Sequence, residues 1–425
     1  MNHSASLLLK KGVWLYFYLL IFEGALRKWI LPELANPLLI IRDPLAIWLL
    51  VMVLQHNIWK PNIYVIGMWM LTVMAFILTL LVGHGNLPVA LYGFRITGLH
   101  FPILFIIGHV FNKEDVLKMG EILLWMSIAM TILVALQFFS PQSAWVNRGI
   151  GGDVEGSGFG GAAGFMRVPG TFSFTGGLTR FYNLVGVFIF YFWIVEKELK
   201  ISKWLLIVSS IEFLAAIPLS ISRTVLFQVV LTFAFMLAIS RANLSIIKRI
   251  AGTVIASFGL LMILSSFSFF ETASMAFFQR FENASISEGG LEGTLIDRFL
   301  GGMYGAITDP EASFWGLGLG MGTAVGSQIL IGDRMVYLIT EGEWGRIIGE
   351  MGFLIGITVI LLRASLMIEL LIKSWNAVKN ANYLPWMLMS FGALSILHGQ
   401  LAQPTNLGFT ILIGGLVIAS LKEKE

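Results

Sequence analysis

The stretch TEGEWGRIIGEMGFLIG, residues 340–356, carries Glu341, Glu343, Arg346 and Glu350 into a strongly apolar run. Charges at the mouth of such a run are costly, and they mark either an internal ion ladder or a face turned to a polar ligand. On a helix, Glu343, Arg346 and Glu350 stand at i, i+3 and i+7 and share one face, which suits a ladder. Glu341 has no opposite charge three or four residues further on, since position 345 is glycine. At a helix start it suits a general base acting on a hydroxyl, with Glu343 as reserve, or a helix cap.

Anion-binding chemistry is suggested by the arginines. Arg167 lies in MRVPGTFSF, where Pro169 and Gly170 signal a turn. Arg223 lies in PLSISRTVLFQ, at the turn of a short-looped pair of apolar runs, and Arg298 in LIDRFLGGMYGAI, whose apolar positions recur at helical spacing. Arg346 is a fourth candidate. Segments 140–177 and 270–343 contain no lysine; their cations are Arg148, Arg167, Arg280, Arg298 and Arg334. The planar guanidinium fork matches phosphate oxygens, whereas lysine is a hydrated point charge. Each arginine taken alone also fits a local ion pair or a headgroup contact. Three on one membrane face favour an anion site.

The elements that must position these residues are membrane spans. The chain has 425 residues, 57% hydrophobic and 12% charged, and a mean hydropathy of +0.82. A soluble domain has roughly 25% charged residues. A span needs about 20 apolar residues. Candidates centre on 12–31, 36–55, 63–83, 87–111, 117–139, 178–195, 203–219, 223–240, 250–269, 344–362, 382–399 and 405–421. The expected fold is therefore all-α and polytopic, with about twelve transmembrane helices and a large extracytoplasmic loop before the tenth. It divides into helices 1–5 (1–139), a glycine-rich loop (140–177), helices 6–9 (178–269), the large loop (270–343) and helices 10–12 (344–425). Short-loop lysines and arginines, among them Lys60, Lys113, Lys200, Arg249, Lys373 and Lys422, alternate to one side. The positive-inside rule then makes both termini cytoplasmic. No small-residue cleavage site follows an isolated short apolar core at the start, so the first span is read as retained.

Other chemistries are excluded or disfavoured. A net charge of +3 with scattered cations lacks the concentrated basic face of a nucleic-acid binder. The absence of cysteine removes disulfides, thiolate metal sites and a thiol nucleophile. FWGLGLGMGT, 314–323, is glycine-rich but lacks a phosphate-loop lysine, so its glycines are read as permitting tight turns. Glu23 and Arg27, with Arg42 and Asp43, read as a charged lock between spans one and two. Arg95 and His100 are ambiguous, and His398 beside Gln400 and Gln403 suits a polar cavity.

RVPGTFSF, SISRT, DRFLGGMYGAITDPEASFWGLGLG and EWGRIIGEMGFLIG, in that order and with a large loop late in the chain, resemble the bacterial O-antigen polymerase and ligase superfamily of membrane glycosyltransferases. The likeness covers roughly residues 165–360. It implies a C-type glycosyltransferase fold acting on undecaprenyl-pyrophosphate-linked sugars, with no nucleotide sugar, metal or other cofactor. Arg223 and Arg298 carry over as pyrophosphate-binding arginines, with Arg167 a third. Members often place a histidine nine residues before the glutamate of Glu-x-Gly; here that position is Glu341, a departure that puts a ligase assignment in doubt. The resemblance also implies a chain-length regulator protein as a candidate partner, and a periplasmic active site at the inner membrane.

The expected activity is polymerisation of lipid-linked repeats. The ligase, which passes the finished glycan to a lipid A core or a protein, is the first alternative. An anionic-solute transporter is the alternative of another class, although the two similar halves and broken helices that mark many transporters are not apparent in the sequence. An envelope scaffold would not explain arginine without lysine.

Overall fold

A computed structural model describes residues 3–195, 201–240, 244–288, 302–308, 313–332, 338–340 and 342–422. Long apolar runs without glycine or proline clusters form helices because only a helix satisfies its own backbone in lipid. The first half comprises α1 (His3–Ala25), α2 (Arg42–Gln55), α3 (Ile63–Leu81), α4 (Leu87–Phe94), α5 (Phe101–Val110), α6 (Lys113–Phe139) and α7 (Thr175–Val195). A π-helical segment, Arg95–His100, joins α4 to α5 without a break in the span. Then follow α8 (Lys203–Leu219), α9 (Arg223–Ser240), α10 (Leu244–Leu264), α11 (Ser268–Glu288), α12 (Gly302–Thr308) and α13 (Ala324–Ile331). The chain closes with α14 (Glu343–Met351), α15 (Phe353–Lys379), α16 (Leu384–His398) and α17 (Pro404–Ser420). Starts are marked as the sequence allows: Asn62 and Asn86 accept from backbone amides three residues on, and Asn112 with Asp115 forms a capping box.

The protein is mostly helical (78%). Eight helices among the described residues are long and apolar enough to cross a membrane, by length and composition. The other four expected spans are shorter helices, α8, α9, α16 and α17, of 17, 18, 15 and 17 residues. Lys10 pairs with Asp115 at 2.6 Å, the Tyr64 hydroxyl donates to Glu369 at 2.5 Å, and Lys422 donates to the Phe111 carbonyl at 2.9 Å. These contacts gather the start of α6 and the ends of α5, α15 and α17 at one lysine-bearing end of the bundle.

Two features differ from an uninterrupted helical bundle. The glycine-rich loop contains a β-hairpin, β1 (Phe159–Ala162) paired antiparallel with β2 (Phe165–Arg167). Its two turn residues, Ala163 and Gly164, both have positive φ, as a two-residue hairpin turn requires. Phe165 stacks on Phe138 of α6 with centroids 4.5 Å apart, anchoring the hairpin to the bundle. The tenth span is also not one helix. It breaks at Gly352 (φ 82°, ψ 163°), and α14 folds back on α15. Gly356 lies against the Ile348 backbone, and Arg363 reaches Glu343 at 2.7 Å. Both pairs are nearly equidistant from residue 352, which only an antiparallel fold-back produces.

Gly352 has no substitute. Its φ lies in the left-handed region, and a Cβ there would strike the Phe314 carbonyl. Gly352→Ala is expected to cost roughly 1–3 kcal/mol from backbone strain alone, before the clash is counted. Thermal unfolding in detergent checks this, with Gly252→Ala, where a Cβ meets open space, as the control expected to unfold at the wild-type temperature or slightly above it.

Candidate functional site

The fold-back creates an ion network. Glu343 accepts from Arg346 Nε and Nη2, both at 3.0 Å, from Arg363 Nη1 at 2.7 Å and from the Leu401 amide at 3.1 Å. Glu350 accepts from Arg346 Nη1 at 2.6 Å and from the Gly322 amide at 2.9 Å. All four charged side chains are buried. The i, i+3, i+7 spacing thus becomes a ladder, completed by Arg363 of α15. Every oxygen of Glu343 is engaged within the chain, so Glu343 and Arg346 face the protein interior and not an open site. Glu350 clasps the loop 313–322, whose Leu317 and Gly318 amides donate to the Gly349 and Glu350 carbonyls at 2.7 and 3.0 Å.

Above this ladder, helices stop early. An α-helix of 15 residues is about 22 Å long, against a hydrocarbon core of about 30 Å. Non-helical stretches with buried residues therefore fall within the bundle: Pro169–Phe174, Ser220–Ser222 and Gly399–Gln403. Backbone of this kind is tolerated at membrane depth only when buried in protein or lining a polar cavity. Buried cations satisfy much of it. Arg363 donates to the carbonyls of Ile396 and Gly399, Arg42 to Pro404 and Lys28 to Gly170, at 2.8, 3.0, 2.6 and 2.6 Å. Gly24 of α1 takes the Thr171–Ser173 backbone so closely that a Cβ would collide with it. Glu23 pairs with Arg27 and with Arg42, each at 3.4 Å, and Asp43 holds Arg95 at 2.6 Å and His100 at 2.9 Å. The intramembrane charges of the first two spans and of the fourth therefore form a structural lock.

A second group of polar side chains surrounds the same stretches without being sealed. Arg180, Trp344, His398, Gln400 and Gln403 are half-buried. Arg180 Nε donates to Asn406 Oδ1 at 2.5 Å, and Asn406 Nδ2 donates to Gln403 Oε1 at 2.8 Å. The Trp344 and His398 rings meet edge-on with centroids 6.2 Å apart. His398 feels the charges of Glu343, Arg363 and Arg180. Thr179 and Ser222 share a hydrogen bond of 3.1 Å, which sets Arg180 beside the start of α9 and Arg223.

The arginines converge at that end. Arg167 terminates β2 and Arg223 begins α9. Arg280 belongs to α11, which packs on α8 and β1 and sets Phe281 edge-on against Phe227 of α9. Burial, then the Arg280 and Arg223 guanidiniums, hold the Arg167 guanidinium below the usual arginine range. Among the described residues, both charges acting on it are positive. Its buried Nε has no hydrogen-bond partner among them either. Like charges gathered this way favour an anion between them.

Of the sequence candidates, the fold brings Arg167 and Arg223 together. It places Glu343 and Arg346 in the interior ladder. Glu341 and Arg298 lie outside the described residues. Arg280 and Arg180 were not singled out by sequence reasoning. The first is one of several loop arginines, and the second hides at the start of an apolar run; its one legible signal is a cation inside FTGGLTRFYN. Among the described residues, no group of three or more histidines or carboxylates could hold a metal ion. No protein-family model matches the chain, and no curated protein matches it in sequence.

Proposed function

We propose that the chain is an integral membrane glycosyltransferase that polymerises undecaprenyl-pyrophosphate-linked oligosaccharide repeats at the outer face of the bacterial cytoplasmic membrane. The observation that carries this reading is the meeting of Arg167, Arg223 and Arg280, from three distant parts of the chain, at an end of the bundle where helices stop short. The terminal hydroxyl of an acceptor repeat attacks the anomeric carbon of the donor glycan, forming the new glycosidic bond. The anomeric carbon–oxygen bond to pyrophosphate breaks, and undecaprenyl pyrophosphate leaves with its bonding electrons. Guanidiniums that meet the growing negative charge stabilise this step, typically by a few kcal/mol for each donor. The hydroxyl proton needs an acceptor, for which Glu341 is the sequence candidate. The lysine-bearing end and both termini are cytoplasmic in this reading, and the fold is C-type glycosyltransferase-like.

The test uses the whole chain in lipid nanodiscs with a labelled undecaprenyl-pyrophosphate repeat. A ladder of products without any added acceptor supports polymerisation. Product that forms only on an added lipid A core moves the reading to the ligase. No transfer under either condition overturns it.

The break at Gly352 and the short α16 and α17 favour one second reading, because transporters commonly place discontinuous helices beside an anionic substrate. Uptake of a labelled anion into proteoliposomes, without glycan transfer, is the outcome that selects it.

A further inference from the structure

Among the described residues, the surroundings of Arg180 carry a charge imbalance that the diphosphate site does not explain. In the ladder beneath, Glu343 and Glu350 are matched by Arg346 and Arg363: two negative charges and two positive ones, every Glu343 oxygen occupied. Arg180 is a further cation. It feels Glu343, whose hydrogen-bonding capacity is exhausted, and among the described residues it donates to a neutral amide, Asn406. A guanidinium presents five donors. Among the described residues no carboxylate bonds it, and a guanidinium held inside a membrane bundle favours an anion beside it. The company it keeps is that of a sugar site. Trp344 offers an aromatic flank, and Gln403, Asn406 and His398 offer amide and imidazole groups that pair with ring hydroxyls.

We infer that Arg180, with Trp344, Gln403, Asn406 and His398, forms a subsite for an acidic sugar, and that the guanidinium takes its carboxylate. The glycan repeat handled here therefore contains a uronic acid or a comparably carboxylated residue. This inference rests on the glycan-transfer reading above and specifies the sugar class of that same site. A carboxylate suits Arg180 better than the diphosphate does, because Arg167, Arg223 and Arg280 already supply the diphosphate with cations. The bidentate geometry of guanidinium with carboxylate sets both position and selectivity.

The test measures binding without requiring turnover. A short oligosaccharide containing glucuronate and its glucose counterpart, both free of lipid, are titrated into the full chain in nanodiscs. The wild type is expected to bind the acidic form about tenfold more tightly, the scale of one charge-assisted hydrogen bond. In Arg180→Gln the two sugars should bind within about twofold of one another, and Arg180→Lys should recover part of the preference. Equal binding of both sugars by the wild type, or an unchanged preference in Arg180→Gln, overturns the inference. So does an Arg180→Gln variant that loses affinity for inorganic pyrophosphate while keeping its preference for the acid. Acid-selective binding that depends on Arg180, in a protein that transfers no lipid-linked glycan, would uphold the subsite while defeating the glycosyltransferase reading. Thermal unfolding of each variant identifies a loss of fold.

Discussion

Arg223→Ala is expected to lower glycan elongation by about 100- to 1,000-fold while leaving a folded, membrane-inserted protein. The size follows from removing one preorganised donor aimed at charge that develops as a bond breaks, which typically costs ~3–4 kcal/mol. The retained fold follows from the position. Arg223 is half-buried at the first residue of α9, and the turn before it is held independently by the Thr179–Ser222 hydrogen bond and by Ser220. Arg223→Lys should restore only part of the rate, since an ammonium cannot grip two phosphate oxygens with a planar fork. Arg167→Ala and Arg280→Ala are expected to act in the same direction. Combining Arg167→Ala with either of the others should fall short of the sum of the single effects, because the Arg223 and Arg280 charges both act on Arg167. Product ladders at fixed protein concentration read all of this. Wild-type chain lengths in Arg223→Ala would remove the foundation of the proposed site.

The second large effect concerns stability. Glu343→Ala leaves Arg346 with Glu350 alone, takes from Arg363 the carboxylate it pairs with and leaves the Leu401 amide without its acceptor, all in a buried setting. Breaking a buried ion pair by removing one partner costs about 3–5 kcal/mol, because the other charge stays behind uncompensated. Here Arg363 stays behind uncompensated and Arg346 loses one of its two carboxylates, so loss of the folded state in detergent is the expected result. Glu343→Gln, which keeps one acceptor oxygen and the shape, should fall between the two. A group used in catalysis would behave oppositely, giving an inactive protein of normal stability. Size-exclusion profiles and unfolding temperatures separate these outcomes; Glu343→Ala unfolding within a degree or two of wild type would show that the ladder does not hold α14 on α15.

Much of the helical layout is legible because hydrophobic length is a strong signal. The runs at 63–83, 87–111 and 117–139 become helices close to those bounds, with asparagine caps at their starts. The ladder among Glu343, Arg346 and Glu350 is legible for the same kind of reason, since helical spacing alone puts them on one face. The break at Gly352 is not. Glycines inside an apolar run cost a helix only about 1 kcal/mol each, so EMGFLIG reads as continuous. The fold-back is decided by tertiary groups, Arg363 and the loop 313–322, that lie far away in sequence. The hairpin 159–167 is hidden by its glycines, which weaken strand propensity while permitting the turn. Arg280 and Arg180 escape notice because convergence is a property of the fold, and neither residue has a local pattern that announces it.

The early stop of α16 has an electrical consequence. If the arginine-bearing end faces outward, as proposed, polar groups at its tip stand about 22 Å from the far end of that helix, where a full crossing takes about 30 Å. The membrane voltage falls across the whole thickness, the outermost part beyond the helix tip included. An anion descending to Arg180 in a cell with a negative interior then moves against part of that voltage. The opposing work is at most about 0.6 kcal/mol per charge at 100 mV, a quarter of the cost of a complete crossing. Collapse of the membrane potential should therefore tighten substrate binding slightly, and more so the more acidic the glycan.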